Sequence, residues 1–243
     1  MPPDIPEYRL QPVNRVALKL VDGSWPFAQA KRQEIAEHWD QMTAQNPTLF
    51  NGNILLMVRG GLLDGLFQAD LIEVDYASFI TWRDWGWCDE TVHDCYGSAI
   101  VVSSDGALVM GRMGSHTVNA GKVYPPGGSL TREDLLPGGA VDLTASIARE
   151  LDEETGLDAT EAKAGGFYMA AFDQRIAIGQ VLHFADNAEA LAARTEAHIA
   201  AEELPELSEA VIIRHMDDLD PELMPPHARA FASAVLENAS VAR

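Results

Sequence analysis

The spacing of apolar residues divides the chain into short alternating segments and longer helical ones. Val16, Leu18 and Leu20 occupy every second position, which is typical of a strand with one buried face. Leu143, Ile147 and Leu151 recur every fourth position, which predicts a helix over residues 143–155. The same patterns predict strands at residues 13–21, 53–59, 66–74, 99–102, 107–112, 121–124, 167–172, 176–184 and 210–214. They predict further helices at residues 24–45, 76–87, 186–203 and 226–238.

Polar and glycine-containing dipeptides indicate where the N-terminal elements end. Ser24 before Trp25-Pro26 is typical of a helix N-cap, and Asn46-Pro47 ends that helix. Gly60-Gly61 predicts a turn between two strands. Phe79 and Trp82 face the core in the helix that follows. Tryptophans grouped in this way can stack on a base, but core packing is the interpretation we favour.

Both strands and helices are predicted along the whole chain. The pattern of predicted elements changes near residues 88–96, where an aromatic helical segment is followed by closely spaced strands and turns. We therefore expect an α+β extension over residues 1–92, packed on a main domain at residues 93–243.

The composition of the chain argues against several classes of binding partner. The 243 residues carry a formal net charge of −20, which disfavours nucleic-acid binding and docking on anionic membranes. Cys88 and Cys95 with His93 do not complete a zinc ligand set, so two reduced thiols are the simpler interpretation. The N-terminus lacks a basic region followed by an apolar run, and no apolar stretch has the ~20 residues of a membrane helix. We expect a cytoplasmic protein.

One stretch carries chemistry: residues 149–157, Arg-Glu-Leu-Asp-Glu-Glu-Thr-Gly-Leu. Glu150, Glu153 and Glu154 stand at positions i, i+3 and i+4, which gathers them along one side of a helix. Gly156 ends the helix because a residue without Cβ adopts the left-handed conformation cheaply. Three neighbouring carboxylates repel one another unless a cation lies between them, which predicts a hard divalent metal such as Mg²⁺, with Mn²⁺ as the alternative.

This stretch resembles the second half of the Nudix box, Arg-Glu-U-x-Glu-Glu-x-Gly-U, where U is a bulky aliphatic residue. All of its specified positions are met: Arg149, Glu150, Leu151, Glu153, Glu154, Gly156 and Leu157. The resemblance implies an α/β/α sandwich with a mixed sheet. It also implies hydrolysis of a nucleoside diphosphate linked to another group X, with Glu150, Glu153 and Glu154 as metal ligands. Glu153, Glu154 and Arg149 would be the catalytic residues, and Arg149 would hold a glutamate or the loop in place.

The first half of the box departs from the pattern. Gly127 and Glu133 have the expected five-residue separation, but the gap before Arg149 is fifteen residues instead of seven. We interpret residues 134–141 as the place of an insertion. The missing acidic role is open between Glu133 and Asp142, and for Asp142 we favour an N-cap.

Residues outside the box are weaker candidates. Glu209 precedes a predicted strand, at the place where some Nudix enzymes have an additional metal ligand or the base. Glu133 is the other candidate for a base or an additional ligand. Arg112 could contact phosphate or form an ion pair on the acidic surface. Gly127 and Gly128 could let the backbone approach the substrate, or could only turn the chain.

A narrower resemblance concerns the substrate. Residues 46–52, Asn-Pro-Thr-Leu-Phe-Asn-Gly, are similar to a segment of the UDP-glucose pyrophosphatase branch of Nudix proteins, which has an N-terminal extension and an interrupted box. The similarity implies cleavage of a UDP-sugar into UMP and sugar 1-phosphate. ADP-ribose, a dinucleotide or an acyl-CoA is the alternative substrate, and a catalytically silent nucleotide-binding module is the alternative function. The expected partner is a nucleotide-diphosphate small molecule, not nucleic acid or membrane; a homodimer stays open.

Overall fold

The computed structural model describes residues 10–241, with side chains up to residue 237. The strands are β1 (Leu10–Val13), β2 (Arg15–Leu20), β3 (Asn53–Leu63), β4 (Leu66–Asp75), β5 (His93–Val102), β6 (Leu108–Met113), β7 (Val123–Tyr124), β8 (Ala140–Val141), β9 (Lys163–Phe172), β10 (Arg175–His183) and β11 (Leu207–Ile213). The helices are α1 (Pro26–Ala30), α2 (Arg32–Gln45), α3 (Tyr76–Asp84), α4 (Leu143–Thr155), α5 (Ala188–Ala201) and α6 (Pro226–Val241). Short 3₁₀ helices lie at Arg132–Asp134, Ala159–Glu161 and Met216–Asp218.

The described strands form one mixed sheet, with β5 at its centre. Its main path runs β1-β9-β10-β5-β3-β4-β2-β8, and β6, β7 and β11 branch from the end of β5. The β5–β10 and β2–β4 pairs are parallel, and the other pairs are antiparallel.

Helices cover both faces of the central strands. Ala99 and Val101 of β5 pack with α4 and α5, whereas Ile100 and Val102 pack with α6 on the opposite face. This alternation follows from the two-residue period of a strand. The predicted α/β fold with a mixed sheet between helices is therefore confirmed.

The N-terminal segment contributes both to the main sheet and to a core of its own. Leu55 and Met57 of β3 join the core beneath α4, whereas Ile54 and Leu56 pack with α1–α3 in a separate cluster. Trp82, in that cluster, is fully buried and meets Trp25 and Trp87 edge to face at centroid distances of 5.4 and 4.6 Å. Core packing is thus confirmed for Trp25 and Trp82, which are buried, whereas Trp87 is half-buried and Trp85 is exposed. Because β3 pairs with β5, the described sheet crosses the expected boundary at residue 92, and the two-domain division stays a prediction.

Two local expectations were wrong. The helix predicted at residues 24–45 is interrupted at Lys31, and Trp25, not Ser24, caps α1 without a side-chain hydrogen bond. The turn predicted at Gly60-Gly61 lies instead at Asp64-Gly65, where both residues have positive φ of 50° and 74°. Gly60 serves close strand pairing, since a Cβ there would lie 2.2 Å from the carbonyl oxygen of Gln68.

Strand β5 begins six residues earlier than the apolar pattern predicted, at His93 instead of residue 99. Its first residues are polar or interrupted by glycine, so hydrophobic alternation does not reveal them. Residues 94–98 pair in parallel with the start of β10, with Arg175 opposite Asp94. This early start brings Asp94 to the candidate site.

Cys88 is exposed and Cys95 is buried, and both are free thiols. Within residues 10–241, no helix is long and apolar enough to cross a bilayer.

Candidate active site

Helix α4 forms where the sequence predicts it and presents part of its acidic side to a cavity. Asp142 caps its N-terminus by accepting a hydrogen bond from the Ala145 N–H at 3.0 Å. Gly156 ends it in the left-handed conformation at φ 67°. Leu143, Ile147 and Leu151 anchor the helix in the core. Packing thus fixes which acidic side chains reach the cavity.

The three glutamates of α4 do not share one environment. Glu150 and Glu154, four residues apart, line the cavity. Glu153 is not part of the lining: its side chain is 58% exposed, and its Oε2 lies 3.1 Å from Arg149 Nη1. The structure therefore brings together two of the three predicted ligands.

Burial makes ionisation of the two cavity glutamates costly. It raises the pKa of Glu150 to about 7, against the effect of Arg149 at 2.7 Å, while Glu153 and Glu206 add to the rise. Burial also raises the pKa of Glu154 well above its usual range. Glu154 Oε1 accepts the Gly127 N–H at 3.1 Å, but its buried Oε2 has no hydrogen-bond partner in the part of the chain that the structure describes. Such an unpartnered buried oxygen is suited to accept a cation.

The two adjacent glycines of the predicted loop fit closely around this pair. A Cβ on Gly127 would lie 2.2 Å from the carbonyl oxygen of Gly97, and one on Gly128 would lie 2.3 Å from Glu150 Oε2. Both glycines line the cavity. They allow the loop to pack simultaneously on β5 and on the Glu150 carboxylate.

Arg149 is held by an acidic residue that the sequence analysis did not single out. Its Nη2 lies 3.1 Å from Oδ1 of Asp134, whose side chain is buried. Asp134 Oδ2 also accepts the Thr131 N–H at 2.8 Å, closing a capping box. Glu133, one position earlier, is exposed and lies outside the cavity lining. The Thr131-x-x-Asp134 spacing was the sequence signal for this role.

Two further candidates bind each other. Arg112 Nε donates to Glu209 Oε1 at 2.8 Å, and neither residue lines the cavity. Arg112 of β6 and Glu209 of β11, which lie opposite each other in the sheet, thus form an ion pair with each other. Glu206, just before β11, lines the cavity instead.

The cavity has a volume of about 550 Å³ and is enclosed partly by the N-terminal segment. Helix α3 supplies Tyr76, Phe79 and Arg83 to its wall, and Asn46, Thr48 and Leu49 lie along the rim. The Asn46 side-chain amide donates to the carbonyl oxygen of His116 at 2.9 Å, which ties this rim to the main domain. The segment after α2 therefore borders the cavity.

The cavity lining contains a second group of charged residues, here called the arginine end, which lie on elements other than α4 and were not predicted from the sequence. Asp94 on β5, Arg175 on β10 and Arg83 on α3 all line it. Burial raises the pKa of Asp94 to about 7, although the positive charges of Arg175 and Arg83 oppose that rise. His227 of α6 is also buried here, and burial lowers its pKa to about 3, so it is neutral. These residues are isolated in sequence, so no local spacing marks them.

The donor chemistry at α4 fits a hard divalent cation. In residues 10–241 no three acidic, histidine or cysteine side chains are gathered as a complete ligand set. Mg²⁺ does not require one, because it commonly binds through one or two carboxylates and retains water and substrate phosphate oxygens. Glu150 and Glu154 provide that pair, with Glu206 also facing the cavity.

Several solved structures are similar to part of this chain. The MutT protein from Methanosarcina mazei Go1 is 19% identical, with 60% of this chain and 95% of that chain covered and a TM-score of 0.40. RenU, a Nudix hydrolase from M. smegmatis, is 13% identical over 62% and 88% of the two chains, with a TM-score of 0.39. A C. elegans Ap4A hydrolase is 10% identical over 60% and 96%, also at 0.39. No protein-family model and no curated protein matches. These values do not assign an activity, so the function is inferred from the site.

Proposed function

We propose that the protein is a divalent-metal-dependent Nudix pyrophosphohydrolase that cleaves the diphosphate of a nucleoside diphosphate linked to X. The observation that carries this proposal is that half-buried Glu150 and buried Glu154 face one cavity, where Glu154 Oε2 has no hydrogen-bond partner among residues 10–241. Their place in a complete second half of the Nudix box supports the same chemistry.

The residues explain how a diphosphate could react here. Its negative charge repels a nucleophile and is also repelled by the glutamates of α4. A bound Mg²⁺ supplies the compensating charge and lowers the pKa of water. Glu150 and Glu154 would hold the ion, while the Asp134–Arg149 pair fixes the loop that leads into α4.

A proton acceptor is also required. Glu206 lines the cavity and lies near enough to Glu150 and Glu154 to raise the pKa of both. We assign Glu206 the role of accepting the proton of the attacking water, a role that Glu209 and Glu133 are not placed to perform. Glu206→Gln is then expected to lower kcat about 10²–10⁴-fold with a smaller change in KM.

The substrate we propose is a UDP-sugar, cleaved to UMP and sugar 1-phosphate. Its support is the resemblance of residues 46–52, together with the position of Asn46, Thr48 and Leu49 on the cavity rim. The net charge of −20 makes local neutralisation by a metal important for any phosphorylated substrate.

A substrate panel tests the proposal. UDP-sugars, ADP-ribose, dinucleotides and acyl-CoA are incubated with Mg²⁺ or Mn²⁺, and the products are identified by chromatography. We expect metal-dependent release of a nucleoside monophosphate, fastest from a UDP-sugar. Preference for another panel member would replace the substrate. Binding of nucleotides without turnover of any of them would support the binding-module alternative.

A further inference from the structure

Asp94 is a buried carboxylate that lacks a protein partner. The residue is 8% exposed, yet its side chain takes part in none of the hydrogen bonds or ion pairs found among residues 10–241. It lines the cavity, so its oxygens are accessible from there. A buried carboxylate without a donor is costly, and a donor group on a ligand would remove that cost.

Two guanidinium groups near Asp94 retain unused donors. Arg175 Nη2 contacts Asp173 at 2.7 Å, while its Nη1 takes part in none of the hydrogen bonds found among residues 10–241. Arg83 binds Asp84 through Nε and Nη2 at 3.1 and 2.9 Å, which leaves Nη1. Both arginines stabilise the ionised form of Asp94, although neither forms an ion pair with it in the described chain. The cavity therefore presents one acceptor together with donors from two other elements.

Aromatic rings give this end of the cavity flat surfaces. Phe79, Trp87 and Tyr96 line it. The Arg175 guanidinium carbon lies 4.3 Å from the Phe172 ring centroid and 5.1 Å from that of Trp87. These contacts hold the arginine in place, and the rings that line the cavity offer flat groups beside which a planar base could lie.

We propose that Asp94, Arg175 and Arg83 form a subsite for the imide edge of a uracil-type base. That edge offers an N–H donor between two carbonyl acceptors, which complements one carboxylate and two guanidinium groups. Cytosine and adenine place an acceptor nitrogen where the imide has its N–H, so they would face Asp94 unfavourably. Guanine offers two adjacent donors and only one carbonyl acceptor. This inference rests on the proposed function only in taking the base to belong to the nucleotide that is cleaved.

The subsite gives the N-terminal segment a part in recognition. Arg83 and Phe79 lie on α3, whereas Asp94 and Arg175 lie on the central parallel pair β5–β10. The base would therefore be enclosed between the two parts of the chain, with the glutamates of α4 elsewhere in the same cavity.

Binding of free nucleotides in EDTA tests the subsite without requiring catalysis. Calorimetry would measure the Kd of the full chain for UMP, CMP, AMP and GMP. We expect UMP to bind at least about 10-fold more tightly than each of the others, the effect of one charge-assisted hydrogen bond. Asp94→Asn should reduce that preference to within about 3-fold, because the amide can also present a donor. Asp64→Asn, the same change in the exposed β3–β4 turn, should leave it unchanged.

A second variant and a second ligand complete the test. Arg83→Gln should weaken UMP binding about 10-fold, with thermal unfolding confirming that both variants are folded. Equal affinity for the four nucleotides, or a UMP preference that persists in folded Asp94→Asn, overturns the subsite. Loss of glucose 1-phosphate binding in Asp94→Asn, with the base preference intact, would assign Asp94 to sugar hydroxyls instead. A chain that prefers UMP but hydrolyses nothing would retain the subsite and refute only the hydrolase.

Discussion

The two ends of the cavity differ in how buried charge is balanced. At α4, Glu150 and Glu154 are like charges, and the nearby positive group, Arg149, is shared with Asp134 and Glu153. At the other end, Asp94 lies near the positive charges of Arg175 and Arg83. In our proposals a cation would complete the first end, and a neutral group with both donors and acceptors would complete the second. A metal-bound diphosphate joined to a planar base would satisfy both.

The largest expected effect is at the α4 end. Glu150→Gln and Glu154→Gln should each lower kcat/KM about 10²–10⁴-fold, because each removes a charge that holds the metal. Steady-state rates with Mg²⁺ measure this, with Glu161→Gln, an exposed residue paired with Arg194, as the control. Retention of wild-type rates in either cavity variant would refute the assigned ligand pair.

The next effect concerns the loop that leads into α4. Asp134→Ala removes a buried partner of Arg149 and the cap of Thr131, so the free energy of unfolding should fall by about 2–4 kcal/mol. Denaturant unfolding gives this value. Asp142→Ala, which removes only an N-cap, should cost about 1 kcal/mol and provides the comparison. If both variants lose the same free energy of unfolding, the Asp134–Arg149 pair contributes little to stability.

At the arginine end we predict a pH dependence of stability. The pKa of Asp94 rises from 3.8 to about 7 on folding, so the folded state holds more protons between these values. Its contribution to the free energy of unfolding therefore falls as pH rises through this window. Asp94→Asn has no carboxyl group to titrate at this position. The free energy of unfolding of Asp94→Asn minus that of the parent should therefore increase by on the order of 2–4 kcal/mol from about pH 4 to about pH 8. A difference that is independent of pH would show that Asp94 titrates normally.

The smallest expected effect is at Glu153. Because this side chain is exposed and paired with Arg149, Glu153→Gln should change kcat less than about 3-fold and cost about 0.3–0.5 kcal/mol. Parallel kinetics with Glu154→Gln check this. A loss as large as that of Glu154→Gln would place Glu153 among the metal ligands, as the resemblance implies, and would show that α4 presents all three glutamates.

The two ends also differ in what the sequence could reveal. Helix α4 could be predicted to the residue because its apolar stripe, N-cap and terminal glycine are all local features. The grouping of three glutamates on one side of the helix did not show that Glu153 is exposed and absent from the cavity lining. Local spacing also favoured Glu133 and Asp142 over Asp134, since burial of Asp134 depends on Arg149, fifteen residues away.

The arginine end could not be predicted because it is assembled by the sheet. Asp94 and Arg175 are eighty-one residues apart and meet only through the parallel register of β5 and β10. Arg83 arrives from a helix of the N-terminal segment. The first residues of β5 are polar, so hydrophobic alternation did not predict this end of the strand. Asp94, which we propose to contact the nucleotide base, was therefore not identified.

The position of the metal tests the central claim most directly. Crystals of the full chain grown with Mn²⁺ and UMP would show the metal by anomalous scattering. We predict a peak about 2.0–2.6 Å from carboxylate oxygens of Glu150 and Glu154, inside the cavity that contains the nucleotide. A peak bound by other residues, or a nucleotide bound outside this cavity, would contradict the account.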